Sequence, residues 1–373
     1  MHASPPSQSQ KQSPSCPTDG PTACHSGPKA WSEDAILACL SRHFPLRHPS
    51  LLLGRGDDCA VLKAEQPLAV STDLFLEDTH FRSAYFTPGD IGYKALAINI
   101  SDLAGCGARP LGFTLCLGLP ARINMAWLDA FFEGMALLAN RYNIVLAGGD
   151  LSRSATTLSI AITVWGEAAT PGNFLRRGGS IPGDSIFVTG SPGLARVGLS
   201  VLEKHGRAAL QDWPTACVAH LRPQSHVDKG LMLARAGFNA RPPALMDLSD
   251  GIMRDLPRLL GLTGELSATN PKTRSGLGAR LTLTPTQLHE EVVRYAAQHG
   301  KDPVCEALLG GEEYCLLGSC APDMLPALHA AIPDLLTLGV VTNERGIFCN
   351  GVELDNAATM RGFDHFEATT EEN

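Results

Sequence analysis

Apolar positions in this chain recur at two spacings, and each change of spacing marks an element. Ile36, Leu40 and Phe44 recur at helical spacing, with Ser32 as an N-cap, so a helix is predicted from Glu33 to His43. The turn cluster Gly54-Arg55-Gly56-Asp57-Asp58 follows, and Cys59 to Leu62 is strand-like. Leu68 to Thr72 is another short strand, with Asp73 at its exit. Pro88-Gly89-Asp90 opens a long helix through about Leu103, apolar almost all round. Leu111 to Leu119 reads as a buried strand and Asn124 to Asn140 as a helix. Ile144 to Ala147 is a strand running into Gly148-Gly149-Asp150, and Leu158 to Val164 is a further strand.

The stretch from Pro171 to Pro182 is rich in Gly, Pro and Arg, and a domain boundary is expected near Glu167. The second half begins with a strand from Ser185 to Thr189, followed by helices to about Gly237. Ala244 to Asp247 is a strand feeding Ser249-Asp250-Gly251 and another helix. Alternating strands and helices in both halves point to an α/β plus α+β class. The expected organisation is an extension over residues 1–30, one domain over 31–167 and a second over 168–373. The extension is rich in Ser, Pro, Gln and Gly and reads as disordered.

Composition narrows the function classes. The chain of 373 residues is 44% hydrophobic and 18% charged, an ordinary globular mixture too long for one compact core. A net charge of −8 argues against a nucleic-acid partner, but not against a phosphorylated ligand, since bound cations reverse the local field. No run of about 20 apolar residues is present, so no membrane span is expected. Most of the eleven cysteines stand singly in apolar runs, as Cys59, Cys106 and Cys116 do. They read as small buried hydrophobes of a reducing, cytoplasmic setting, and without a Cys-x-x-Cys pair zinc has little support.

Several aspartates share one context. Asp73, Asp150 and Asp247 follow apolar runs, Asp250 lies three residues beyond Asp247, and Asp57 and Asp58 sit in a glycine turn. Strand ends are where α/β proteins place ligands, and carboxylates suit Mg²⁺. Each taken alone is more readily explained as turn chemistry. Asp102 differs. At about 100° per residue it shares a stripe with Ile91, Ala95 and Ile98, so it projects where its neighbours are buried. Such a carboxylate needs a partner: a metal, a salt bridge to Lys94, or a helix it caps. No G-x-x-x-x-G-K-[ST] loop and no G-x-G-x-x-G before a helix is present, so any nucleotide would rest on metal and helix N-termini. Ser249 could supply a hydroxyl and a helix N-terminus, or act as a plain N-cap.

These segments together resemble the thiamine-monophosphate kinase family. The similarity is carried by Gly56 to Leu62, Ser71-Thr72-Asp73 with His80-Phe81, Asp90 to Ala104, Gly148-Gly149-Asp150, Met246 to Gly251, Gly310-Gly311-Glu312-Glu313-Tyr314 and Gly362 to Phe366. It runs in family order from about Trp31 to Phe366, and the motif from Asp90 to Ala104 is the most specific part. The resemblance implies the two-domain architecture shared with aminoimidazole ribonucleotide synthase, in a homodimer whose N-terminal strands build a barrel with the partner's. It implies phosphorylation of thiamine monophosphate by ATP with several Mg²⁺ ions, a step of thiamine diphosphate biosynthesis.

Carried over position by position, the resemblance assigns metal to Asp58, Ser71, Thr72, Asp73, Asp102, Asp150, Asp247 and Asp250. It assigns ATP to Gly149, Asp150, Arg177, Ser249 and Trp127, and the thiamine phosphate to His80, Glu312 and Phe363. Arg177 is preferred to Arg176 by its spacing to Gly183-Asp184, and Trp127 reads equally as a core residue. Two positions depart from the family: Glu313 stands where Asp is usual, and Phe363 where Trp or Tyr is. The acceptor is itself an anionic phosphate oxygen, so direct transfer needs no general base. Asp58, Asp73, Asp102, Asp150 and Asp250 are then the expected catalytic groups. The competing readings are an aminoimidazole-type synthase, which also releases phosphate, and a non-catalytic Mg·ATP-binding regulator.

Overall fold

A computed structural model describes residues 32–55, 59–236, 241–262 and 276–354. The 1–30 extension, Asp57, Asp58 and Phe363 lie outside the described residues. The first half runs α1 (Glu33–His43), β1 (Leu51–Leu53), β2 (Val61–Leu62), β3 (Leu68–Leu76), α2 (Pro88–Gly105), β4 (Ala108–Leu119), α3 (Met125–Tyr142), β5 (Val145–Arg153) and β6 (Ser159–Ala168). Ser32 caps α1, its side chain accepting from Ala35 N at 3.2 Å. The second half runs β7 (Ser185–Val188), α4 (Leu194–His205), α5 (Pro214–Leu221), α6 (Val227–Ala236), β8 (Ala244–Asp247), α7 (Ile252–Leu259) and β9 (Gly278–Leu281). It continues with α8 (Glu290–His299), α9 (Pro303–Leu309), β10 (Leu316–Cys320), α10 (Leu325–Ala331), β11 (Leu336–Thr342), β12 (Gly346–Cys349) and β13 (Val352–Glu353).

Two main sheets result. Among the described residues the first has four strands in the order β3-β6-β4-β5 and does not close into a barrel. The second has the order β13-β12-β9-β11-β7-β10-β8. Between them lies α2. It starts at a Thr87–Asp90 capping box with Pro88 in the first turn, where a missing N–H costs nothing. Asp90 is also gripped by Arg207 at 2.7 Å and Arg222 at 2.6 Å, which fastens the start of α2 to the second half. Leu96, Ile100 and Leu103 of α2 are fully buried, as are Phe113, Phe131 and Phe132. Each such side chain contributes about 1.5–3 kcal/mol by leaving water.

Two expectations need correction. Asp73 and Asp150 do not end their strands, because β3 continues to Leu76 and β5 to Arg153. The apolar run ends where the strand turns towards polar surroundings, while the ladder continues: Asp73 pairs with Ile162 and Asp150 with Cys116. Cys59 and Cys116 are exposed and Cys106 is half-buried, rather than core hydrophobes. Cys116 faces out because β4 presents alternate residues to the open face of its sheet.

Candidate active site

Alternation along β3 decides which of its polar residues reach the interior. Val70, Thr72 and Leu74 are exposed, whereas Ser71 and Asp73 point the other way, towards α2. There Ser71 Oγ donates to Asp102 Oδ2 at 2.5 Å. Asn99, one turn earlier on α2, accepts from Asp73 N at 3.2 Å and donates to Ala95 O at 2.9 Å. Thr72 faces the open side and bonds Thr163 at 2.8 Å.

At its far end α2 abuts β8. A Cβ on Gly105 would meet Asp247 N at 2.8 Å, so only glycine lets the helix approach this strand. The approach brings Asp247 beside Asp102, and Ser101 Oγ donates to Asp247 Oδ2 at 3.1 Å. Beyond β8 the chain turns through Leu248, Ser249 and Asp250. Asp255 Oδ2 accepts from Ser249 N at 3.0 Å and Asp250 N at 2.8 Å, and Arg258 bonds both Asp250 and Asp255. The N-cap of α7 is Gly251, at φ 96°, so Ser249 is not the cap. Its carbonyl instead accepts from Glu312 N at 2.7 Å.

These groups line one cleft of about 530 Å³, to whose wall Asp73, Asp102, Asp247, Asp250, Arg177 and Ser249 all contribute. His80, Tyr85, Glu312 and Tyr314 lie along the rest of its wall. The carboxylates crowd one another. Burial pushes Asp73 up to about 6, and the charge of Asp102 adds to the rise. Burial raises Asp102 too, against the pull of Ser71 and Arg177. Asp247 is raised well above its ordinary value by burial, then by Asp102 and Asp255. Buried carboxylates that repel one another and hold few hydrogen bonds are a donor set suited to a hard divalent cation. The charge of Arg177 acts on Asp102 and Asp247 and its side chain lines the cleft; Arg176 lines only a smaller neighbouring cavity.

Glu312, next to Ser249 in the same wall, rests on ions. Glu312 Oε1 lies 3.1 Å from Lys94 Nζ, and Oε2 lies 3.1 Å from His220 Nδ1. Burial opposes the charge on Glu312, but Lys94 and His220 outweigh it and hold the carboxyl below its ordinary range. Burial lowers Lys94 and His220, which share this pocket. His80 stacks on Phe75 at 6.0 Å, and its Nδ1 accepts from Leu76 N at 3.0 Å, so it is held rather than loose. Glu313 faces away and accepts from Gly193 N at 2.7 Å and Ala195 N at 3.1 Å, capping α4.

Not every expected residue is in this cleft. Gly149 and Asp150 are exposed on β5, and Asp150 accepts from Ser152 at 3.0 Å. The row Leu74–Ala161–Cys116–Asp150 runs across the sheet, so Asp150 shares the open face with Thr72, three strands from β3. Trp127 stacks on Phe131 at 5.4 Å and packs against the core. Sequence reasoning offered Lys94 only as a partner for Asp102, whereas it pairs with Glu312, and it did not find His220 or Asp255. A lysine set among the apolar residues of α2 was the one available signal; His220 and Asp255 carried none.

Comparison with known proteins agrees with this architecture. The family model described as AIR synthase related protein, N-terminal domain, matches residues 56–168. The thiamine-monophosphate kinase of Salmonella typhimurium is 35% identical over 341 residues, covering 88% of this chain and 98% of that protein. The crystal structure of thiamine-monophosphate kinase from Stenotrophomonas maltophilia is 30% identical, with TM-score 0.68, over 86% of this chain and 95% of that one. AaThiL complexed with AMPPCP and TMP is 26% identical, with TM-score 0.67, over 90% and 97%. The two sheets, the cleft between them and these likenesses together show that the chain belongs to the thiamine-monophosphate kinase family, a family of enzymes.

Proposed function

We propose that the chain transfers the γ-phosphoryl group of ATP to the phosphate of thiamine monophosphate, giving thiamine diphosphate and ADP. The observation that carries this is the cleft, whose wall brings Asp73, Asp102, Asp247 and Asp250 together with Arg177, Glu312 and His80. A relative of similar fold was solved with the ATP analogue AMPPCP and with TMP, which supports the same pair of substrates here.

Asp73, Asp102, Asp247 and Asp250 would hold magnesium ions, with Ser71 orienting Asp102; Asp58, and Asp150 on the open face of the sheet, are assigned to metal by the resemblance alone. Bound there, such ions would neutralise two polyanions that otherwise repel. Arg177 and Ser249 are the nucleotide-side residues of this reading; Gly149, exposed on β5, and Trp127, stacked on Phe131, are assigned to ATP by the resemblance alone. Glu312, His80 and Phe363 are those for the thiamine ring. The acceptor oxygen is already anionic, so no side chain has to take a proton from it. The new P–O bond forms as the bond to the β-bridging oxygen breaks, and ADP leaves with that electron pair. Inversion at a chiral γ-phosphorus is expected; retention would mean a phosphoenzyme.

The working unit is proposed as a cytoplasmic homodimer with residues 31–167 and 168–373 as its domains. Exposed Val70 and Leu74 on β3 offer an apolar face that a partner sheet could cover, completing a barrel. One assay tests the function: ATP, Mg²⁺ and thiamine monophosphate, following ADP, free phosphate and thiamine diphosphate together. Thiamine diphosphate and ADP in equal amounts are expected. Free phosphate in their place, or no ADP at all, would defeat the proposal.

A further inference from the structure

Away from the cleft, α1 and α3 bring together three side chains of a different chemistry. Cys39 and His43 lie four residues apart on α1 and so share a face. Asp129 of α3 meets them there. Its Oδ1 lies 3.4 Å from Cys39 Sγ and 2.9 Å from His43 Nε2, and the three ligand atoms all fall within 4.8 Å of one another. Ligands of one tetrahedral zinc have comparable separations, with Zn–S about 2.3 Å and Zn–N or Zn–O about 2.0–2.2 Å.

We propose that Cys39, His43 and Asp129 bind one zinc ion, with water in the fourth position, and that this ion clips α1 to α3.

Two observations favour an ion over a plain hydrogen-bond cluster. First, Asp129 Oδ1 is oversubscribed. The Cys39 thiol, the His43 ring and Arg42 Nη2, at 2.9 Å, all converge on this single oxygen, which has two lone pairs. A dication at the centre of the three ligand atoms replaces that convergence with three separate bonds. Second, the obstacle is removable. Arg42 stands between Asp129 and Cys39, 3.3 Å from the sulfur, but its side chain is 65% exposed and can swing into water. Two of the three ligands are better held, while the Asp129 side chain is 52% exposed. Cys39 is 1% exposed, and the His43 ring lies 6.4 Å from that of Phe132.

The donor set also separates this site from the cleft. Thiolate with imidazole selects zinc, cobalt or copper, whereas the all-oxygen cleft suits magnesium. Binding exchanges the Cys39 thiol proton for the metal and releases it to solvent; His43 ligates through its neutral Nε2 and carries its proton on Nδ1. No oxidation state changes. An ion bound only by the folded chain raises stability by mass action, so the effect is structural.

The test uses the full chain stripped of metal and titrated with Co²⁺ or Zn²⁺ alone. One equivalent of Co²⁺ should give a thiolate-to-cobalt charge-transfer band that excess Mg²⁺ leaves intact and Zn²⁺ removes. Cys39→Ser should abolish the band, and His43→Ala or Asp129→Asn should weaken binding about tenfold or more, by analogy with the loss of other metal-site partners. Zn²⁺ should raise the unfolding temperature of the parent chain but not of Cys39→Ser. Arg42→Ala keeps all three ligands and should tighten binding. No band, a band that survives Cys39→Ser, or weaker binding in Arg42→Ala would overturn the proposal.

Discussion

Lys94 Nζ lies 3.1 Å from Glu312 Oε1, and the lysine is fully buried while the glutamate side chain keeps 26% of its surface open to the cleft. The charge that the cleft wall presents is therefore anchored from inside α2. Lys94→Met should destabilise the protein by up to about 3–5 kcal/mol, because it removes one of the two buried partners of a carboxylate and leaves only His220. Adding Glu312→Gln should restore part of that loss. Urea unfolding of the two single variants and the double variant measures the coupling, and strictly additive values would mean the pair does not act as a unit.

Asp102→Asn should separate stability from catalysis. Removing its charge relieves the repulsion on Asp73 and Asp247, so the metal-free variant should unfold at a higher temperature than the parent. Turnover should fall about 100-fold or more, the scale of a lost electrostatic contribution of several kcal/mol. Thermal melts in chelator and steady-state rates in Mg²⁺ provide the two readouts. Near-normal turnover would remove Asp102 from the proposed cage.

Asp73 sets a pH dependence with a definite sign. Its folded-state pKa of about 6 stands above the ordinary aspartate value of 3.8. A raised carboxyl favours the folded chain when protonated, so its contribution is complete below 3.8 and is lost as pH rises through 6. The loss amounts to up to about 3 kcal/mol at neutral pH. Other groups titrate in this range, so the comparison is parent against Asp73→Asn, without metal. The parent should lose stability relative to the variant between pH 4 and 6, and parallel curves would contradict the shift.

Glu313 is expected to matter for folding rather than for substrate. It accepts two backbone N–H groups at the start of α4, as a helix cap does. Burial pushes its carboxyl up to about 8 against those donors. Glu313→Ala should cost about 1–2 kcal/mol. The apparent KM for thiamine monophosphate should stay within a factor of about two, the spread left by a change of stability alone. A large KM change would put Glu313 in the substrate site.

Much of this is legible in the sequence. The helix bearing Asp102 and the strand ending in Asp247 were readable because an apolar period and an N-terminal proline mark them locally. The unusual placement of Asp102 was readable from its stripe alone. The extents of β3 and β5 were not, because hydrogen bonding to a neighbouring strand leaves no trace in the polarity of the strand itself. The partners of Glu312 were hidden for a similar reason. Lys94 and His220 are 126 residues apart and meet only through the packing of α2 against α5.

Alternation on β3 has a consequence for how this gene can drift. Ser71 and Asp73 serve the cleft while Val70, Thr72 and Leu74 serve the open face, and both sets are interleaved in one strand. Deleting a single residue upstream within the strand would exchange the two sets at a stroke. The carboxylate would go to the exterior and an aliphatic chain into the cation pocket, with the backbone ladder still formed. Losing two adjacent residues would return every side chain to its proper side. Length changes in this strand should therefore be tolerated by parity, a constraint that substitution tables do not capture.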